Sequence, residues 1–274
     1  MPELPEVETV RRQLEEVIPG WTITSVPLAE PSMLRGLGVR DFERRLSGNS
    51  FSLPRRHGKF LLLPLSGGFW LTVHLGMTGR ILVPTGPRSR DPHDRFVLAL
   101  TRDGCRAWFV FRDVRKFGRV ELSAGTPAPR VAGLGPDGWT GVWDSGYLAR
   151  RLAGRRAAVK ALLLDQHILA GVGNIYADEA LFEAQILPFR PAGSLGPEEL
   201  ERLAAAVRAT LERGVRALGC SISDFAHVDG RLGSMQQELR AYQRQGQRCE
   251  RCGGTLERTI IAGRGTAYCP GCQV

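Results

Sequence analysis

The chain has 274 residues, 43% of them hydrophobic, which suits one or two globular domains, and no apolar run is long enough to span a bilayer. Thirty-seven basic residues against 28 acidic ones give a formal charge of +9, which favours a polyanionic partner. The opening segment is acidic and lacks the basic and apolar regions of a secretory signal, so the expected location is the cytoplasm.

The first element is read from MPELPEVETV. Pro5 suits a first helical turn, the acidic side chains favour its positive end, and Val7, Val10, Leu14 and Val17 mark a buried face. Residues 20–123 then hold short β-rich runs, FLLLPL, FWLTVHL, RFVLAL and RAWFVF, separated by Gly, Pro and charged turns, a pattern that predicts an antiparallel sandwich. Within them, residues 102–119 carry six basic and two acidic side chains. Residues 126–141, TPAPRVAGLGPDGWTG, read as a linker. Their Gly133-x-Gly135-x-x-Gly138 has no strand leading in and no clear helix following, which excludes a dinucleotide fingerprint.

From Tyr147 to Gly219 the periodicity turns helical. Ala157–Leu164 predicts one helix and Asn174 an N-cap for another over Ile175–Ala184, with Gly171-Val-Gly173 between them. Exposed amides at such a helix start suit a phosphate, and a plain helical hairpin fits equally well. Only three basic residues are lysines, Lys59, Lys116 and Lys160. They mark either positions that need an amine able to lose its proton or survivors of an arginine-rich composition.

Cys249-x2-Cys252 and Cys269-x2-Cys272 have the spacing of a closed four-thiolate zinc site, structural and not catalytic. Two disulfides are the alternative, which a reducing compartment disfavours. Between the pairs, TIIAGRGTAY predicts a hairpin turning at Gly263-Arg264-Gly265, with Arg264 at the tip. Residues 240–274 again carry six basic and two acidic side chains.

MPELPEVETV, HGKFLLL, HLGMTGR, DVRKFG, LDQHILAGVGNIYADEALF, QQELRAY and the four-cysteine finger occur here in the order found in bacterial formamidopyrimidine-DNA glycosylases, and the resemblance spans Pro2 to Cys272. It implies an α+β architecture. An N-terminal antiparallel β-sandwich domain with its helix occupies residues 1–125, a linker 126–141, a helix-two-turn-helix domain 142–239 and a zinc finger hairpin 240–274, with one structural Zn²⁺. The implied partner is double-stranded DNA containing oxidised bases or abasic sites, bound by a monomer in the bacterial nucleoid without any membrane.

The implied chemistry begins at Pro2. Removal of Met1 leaves a secondary amine whose pKa lies well below that of lysine, able to attack C1′ and form an iminium that drives β,δ-elimination. The resemblance makes Glu3 the general acid and Glu6 its supporting carboxylate, Lys59 a participant in β-elimination and Arg264 one in δ-elimination and phosphate binding. His93, Arg115, Arg155, Lys160 and Asn174 fall at DNA-contacting positions. Met77, Arg115 and Phe117 resemble a triad that fills the void left by an extruded nucleotide. Read alone, Met77 and Phe117 are core residues. The stretch VDGRLGSMQQEL departs from the family, with Ser234 and Met235 where an aromatic pair is common, so an endonuclease VIII-like pyrimidine range is an alternative to 8-oxoguanine and formamidopyrimidines. A non-catalytic damage binder is another.

Overall fold

The computed structural model describes residues 1–221, 228 and 230–274. They divide into two units, Met1–Gly133 with Leu218–Ser234, and Leu134–Ala217 with Met235–Val274.

In the first unit, α1 (Leu4–Val17) carries Pro5 in its first turn and buries Val7, Val10 and Leu14. Its apolar stripe runs on through Ile18, fully buried, whereas Val17, expected on that face, is 39% exposed. Then come β1 (Thr22–Ala29), β2 (Leu34–Arg35), α2 (Val39–Leu46), β3 (Arg55–His57), β4 (Phe60–Pro64), β5 (Phe69–His74), β6 (Arg80–Leu82), β7 (Asp94–Arg102), β8 (Cys105–Arg112), β9 (Arg119–Ala124) and the short α3 (Pro129–Ala132). The four apolar runs of the sequence are β4, β5, β7 and β8. One sheet has the order β1-β7-β8-β6 and the other β2-β9-β5-β4-β3. All pairings are antiparallel except the two-residue edge strand β2, which lies parallel to β9. A single apolar cluster joins α1 to both sheets, through residues such as Leu14, Phe51, Leu63, Val73, Phe96 and Phe109. At roughly 1.5–3 kcal/mol for each such side chain, this shared core is what seats α1.

The second unit holds α4 (Ser145–Leu152), α5 (Val159–Leu163), α6 (Asn174–Ala184), α7 (Pro197–Arg216), β10 (Glu257–Ile261) and β11 (Arg264–Tyr268). Helix α5 is shorter than the sequence predicts because Ala157 and Ala158 are spent on extended pairing: the Ala192 amide donates to Ala157 O, and Ala158 bridges Pro191. Gly135 and Gly138, from the Pro- and Gly-rich stretch, donate to Gln166 O and Ala170 O in the turn before α6.

Candidate active site

Three carboxylates are buried within the first turns of α1: Glu3, Glu6 and Glu8 are 2%, 1% and 4% exposed. Burial of an ion is costly unless donors meet it, and the partners of Glu6 and Glu8 reflect that. Glu6 accepts from the Glu3 amide at 2.7 Å through one oxygen and from the Cys220 amide at 2.7 Å through the other. It therefore closes a capping box on Glu3, the residue that starts the helix. Pro2 is buried ahead of Glu3, while Met1 is 40% exposed. Gly219 sits so close that a Cβ there would lie 2.9 Å from the Glu6 side chain, and its φ of +85° is one that glycine adopts without strain.

Sequence alone assigns no site role to Glu8. It pairs with Arg11, Arg12 and, at 3.0 Å, with the buried Arg56 of β3. Burial pushes the Glu8 carboxyl up, but the hydrogen bonds and charges of Arg11 and Arg56 outweigh it and hold the group below the usual carboxylate range. Arg56 also donates to Gly58 O, so the Glu8–Arg56 pair ties α1 to the tight β3–β4 turn. Buried Lys59 occupies that turn, beside Gly58 at φ +54°. His74 ends β5 opposite Phe60, their rings 4.9 Å apart, and accepts from the Gly76 amide. Burial first, then the charges of Lys59, Arg130 and Arg119, pull His74 down to about 4, so it is neutral at physiological pH. It opens the HLGMTGR motif, and only its pairing with β4 discloses a link to Lys59.

Met77 is half-buried and Phe117 is 48% exposed, so neither is the core residue that its type alone suggests. Exposed Arg115 stacks its guanidinium 4.8 Å from the Phe117 ring. His93 lies before β7, its ring 3.3 Å from the Arg95 guanidinium.

In the second unit, Lys160 is fully buried, with its ammonium 2.6 Å from Asp178 Oδ1 and donating to Thr266 Oγ1 at 2.7 Å. Asp178 in turn accepts from the Ala267 amide. Burial pushes the Asp178 carboxyl up to about 7 in spite of its lysine. Asn174 does not cap α6. Gly173 holds the N-cap position, and the Asn174 side chain donates to Gly265 O at 3.0 Å. Lys160, Asp178 and Asn174 thus all grip residues 265–267, next to exposed Arg264. That hairpin turns at Ala262-Gly263, both at positive φ, one residue earlier than the sequence predicts, and Arg264 opens β11 paired with Ile261. The neighbouring Glu179 carboxylate accepts from the Arg240, Ala241 and Tyr242 amides, which lead into the finger. Arg155 is exposed between α4 and α5.

The four finger sulfurs all lie within 4.8 Å of one another. Cys249 and Cys272 are 3.8 Å apart and Cys252 and Cys269 3.5 Å, far beyond a disulfide and close to the ~3.8 Å edge of a tetrahedron with Zn–S bonds of about 2.3 Å. The thiolates fit a structural zinc. Phe182 of α6 packs on Cys249, Cys269 and Leu256 to form the finger's small core. In the departing stretch Ser234 is exposed and Met235 fully buried, and Asp229 lies outside the described residues.

Family models match along the chain: the formamidopyrimidine-DNA glycosylase N-terminal domain over residues 1–120, the H2TH domain of the same glycosylases over 134–226, and the zinc finger found in FPG and IleRS over 246–274. A formamidopyrimidine-DNA glycosylase of Desulfitobacterium hafniense is 42% identical over 277 residues, covering all of both chains. Among solved structures, the MutM (FPG) protein of Thermus thermophilus superposes with a TM-score of 0.87 at 40% identity, over 99% of this chain and 98% of that one. A Lactococcus lactis FPG variant in complex with DNA containing Fapy-dG does so with a TM-score of 0.91 at 33% identity, over 99% of both. With the buried N-terminal carboxylates, the thiolate cluster and full-length identity of this order in agreement, the chain belongs to the formamidopyrimidine-DNA glycosylase family.

Proposed function

We propose that this chain is a bifunctional DNA glycosylase and abasic-site lyase that removes oxidised purines, 8-oxoguanine and formamidopyrimidines, from duplex DNA in base excision repair, acting on the nucleoid in the cytoplasm. The observation that carries this reading is the N-terminal turn, where Pro2 and Glu3 are buried side by side and Glu6 fixes the Glu3 amide. Met1 is 40% exposed and precedes the helix, so its removal takes little from the core.

Freed of Met1, the Pro2 nitrogen is a secondary amine with a lone pair available near neutral pH. It forms a bond to C1′ as the bond to the damaged base breaks, and Glu3 supplies the proton that the sugar or base takes up. With its own proton given up, the nitrogen drives its lone pair onto C1′ as the C1′–O4′ bond breaks and O4′ takes a proton from Glu3, and, having no second proton to lose, it stays a cationic iminium. It draws electrons from the C2′–H bond and releases the 3′ phosphate, then the 5′ phosphate in the δ step. Lys59 serves the first elimination. Arg264, a poor acid at neutral pH, serves chiefly as a phosphate clamp. Lys160 acts through the finger: its burial against Asp178 and Thr266 suits a brace for the Arg264 hairpin better than a direct phosphate contact. His93, Arg115, Arg155 and Asn174 are the remaining DNA contacts, and Met77, Arg115 and Phe117 fill the void. In this reading residues 1–125 carry the chemistry, 126–141 connect, 142–239 bind the backbone and 240–274 form the finger.

The test is borohydride trapping on duplex containing 8-oxoguanine or an abasic site, with incision measured over oxidised purines and pyrimidines. A covalent protein–DNA adduct and purine-selective incision are expected. Specific binding without an adduct would leave a non-catalytic damage binder, and pyrimidine-selective incision the endonuclease VIII-like range.

A further inference from the structure

Asp113, in the DVRKFG motif, is fully buried and has no role that its local sequence assigns. Its Oδ1 accepts from the Thr78 hydroxyl and from the Arg115 amide at 3.2 Å, and its Oδ2 accepts from the Gly118 amide at 2.7 Å. The same Arg115 amide also reaches Thr78 Oγ1 at 3.1 Å. Thr78 follows Met77, and Arg115 to Gly118 bracket Phe117, so one carboxylate joins the loop that carries Met77 to the loop that carries Arg115 and Phe117. Its main chain ties in a third segment, with the Asp113 amide donating to His93 O at 2.9 Å and Arg95 Nε donating to Asp113 O at 2.8 Å.

Backbone packing shows how close this junction is. A Cβ on Gly76, at φ +66°, would stand 2.5 Å from the Gly118 nitrogen and 2.6 Å from the Phe117 carbonyl carbon, so the main chains of the two loops meet here. One on Gly118 would strike the Phe111 ring at 2.3 Å. One on Gly79, beyond Thr78, would meet the same ring at 2.6 Å, so the loops are packed against each other and against Phe111, and the hydrogen bonds to Asp113 are the polar link between them.

We propose that Asp113 is a positioning residue for base extrusion: a clip that holds Met77, Arg115 and Phe117 as one rigid group, with His93 in register beside them. This rests on the glycosylase reading above. Entering a base stack means holding side chains against the tendency of the nucleotides to restack, and three separately mobile side chains would yield to it where a group fixed at a common root does not. The clip needs a carboxylate because both oxygens must accept. Asparagine offers one acceptor, and its NH2 would face an amide N–H on one side. Asp113 itself touches no DNA and acts through its neighbours.

The experiment compares Asp113→Asn and Thr78→Val with the unaltered chain, each checked for fold by near-ultraviolet circular dichroism. Two reactions are followed: lesion excision from duplex carrying 2-aminopurine beside the lesion, and borohydride trapping on a single-stranded abasic oligonucleotide, where there is no stack to enter. Asp113→Asn is expected to lower both the 2-aminopurine signal and duplex excision about tenfold or more, with single-stranded trapping about unchanged and Thr78→Val intermediate. Thr78→Val carries the test if the Asp113 variant does not fold. Duplex excision at the unaltered rate, or equal loss in both reactions, would overturn the clip. An unaltered chain that neither excises nor traps would overturn the glycosylase reading and the clip with it, and would be recognised before any variant is made.

Discussion

The N-terminal turn of α1 and the finger hairpin of β10 and β11 each present a residue proposed for the chemistry, Pro2 with Glu3 in one and Arg264 in the other. Both are seated by buried carboxylates that accept main-chain amides. Glu6 takes the Glu3 and Cys220 amides, and Asp178 takes that of Ala267 in β11. They differ in what lies beneath. Helix α1 rests on the apolar core of two sheets, whereas the finger has a core of little more than Phe182, Ala241, Leu256 and its own cysteines. A segment with so little apolar surface depends on its metal and on the polar grip of α6, and a segment on a large core does not.

Zinc removal should separate the two regions most strongly. Thiolate binding is worth on the order of 10 kcal/mol to a small finger, so chelation should unfold residues 245–274 and abolish DNA binding. The sandwich should survive, with hydrogen exchange of β4, β5 and β9 unchanged. Undiminished DNA affinity in a metal-free chain would show the finger to be dispensable for binding.

Breaking the buried pair on α6 should cost less. Lys160→Met leaves the Asp178 carboxyl buried without its cation, at about 3 kcal/mol or more measured by denaturant unfolding, and the paired change Lys160→Met with Asp178→Leu should recover most of it. The same loss from the double variant would point to packing, not charge.

In the sandwich the corresponding lever is His74. Unfolded, it takes up a proton near 6.5, and folded only at about 4. Between those values the unfolded state binds more protons, so His74 contributes stability that is present above pH 6.5 and is lost as pH falls towards 4. The shift corresponds to on the order of 3 kcal/mol. His74→Gln should flatten the stability profile across that window, and an unchanged slope would contradict the assignment.

Arg264→Ala should have the smallest effect: a uniform weakening of DNA binding across sequences and a salt slope reduced by about 1, the mark of one lost phosphate contact. An unchanged slope would count against that contact.

Where pattern and tertiary demand agree, the sequence suffices. Apolar runs between turn residues become β4, β5, β7 and β8, and the cysteine spacing becomes a cluster of tetrahedral dimensions. Where a side chain has two possible employers, local rules favour the wrong one. Asn174 suits an N-cap, but Gly265 O from the finger claims it and leaves the cap to Gly173. Lys160 stands out in an arginine-rich chain, yet composition carries no sign that it is buried against Asp178. Phe117 looks like a core residue, yet it is 48% exposed on a loop whose main chain meets Gly76. Glu8, Asp113 and Glu179 act through partners 48, 35 and 61 or more positions away, separations no local window spans.

All of the proposed chemistry depends on the Pro2 nitrogen. With Met1 in place that nitrogen is a tertiary amide without a nucleophilic lone pair, and Lys59 is the alternative amine, with an ordinary pKa of about 10.4 against about 8 for a free α-amino group. The decisive measurement is borohydride trapping on abasic-site duplex by two preparations, distinguished by mass spectrometry as lacking or retaining Met1. Both are expected to bind the DNA and only the chain beginning at Pro2 to form the adduct; equal trapping by the chain that retains Met1 would contradict a Pro2 nucleophile.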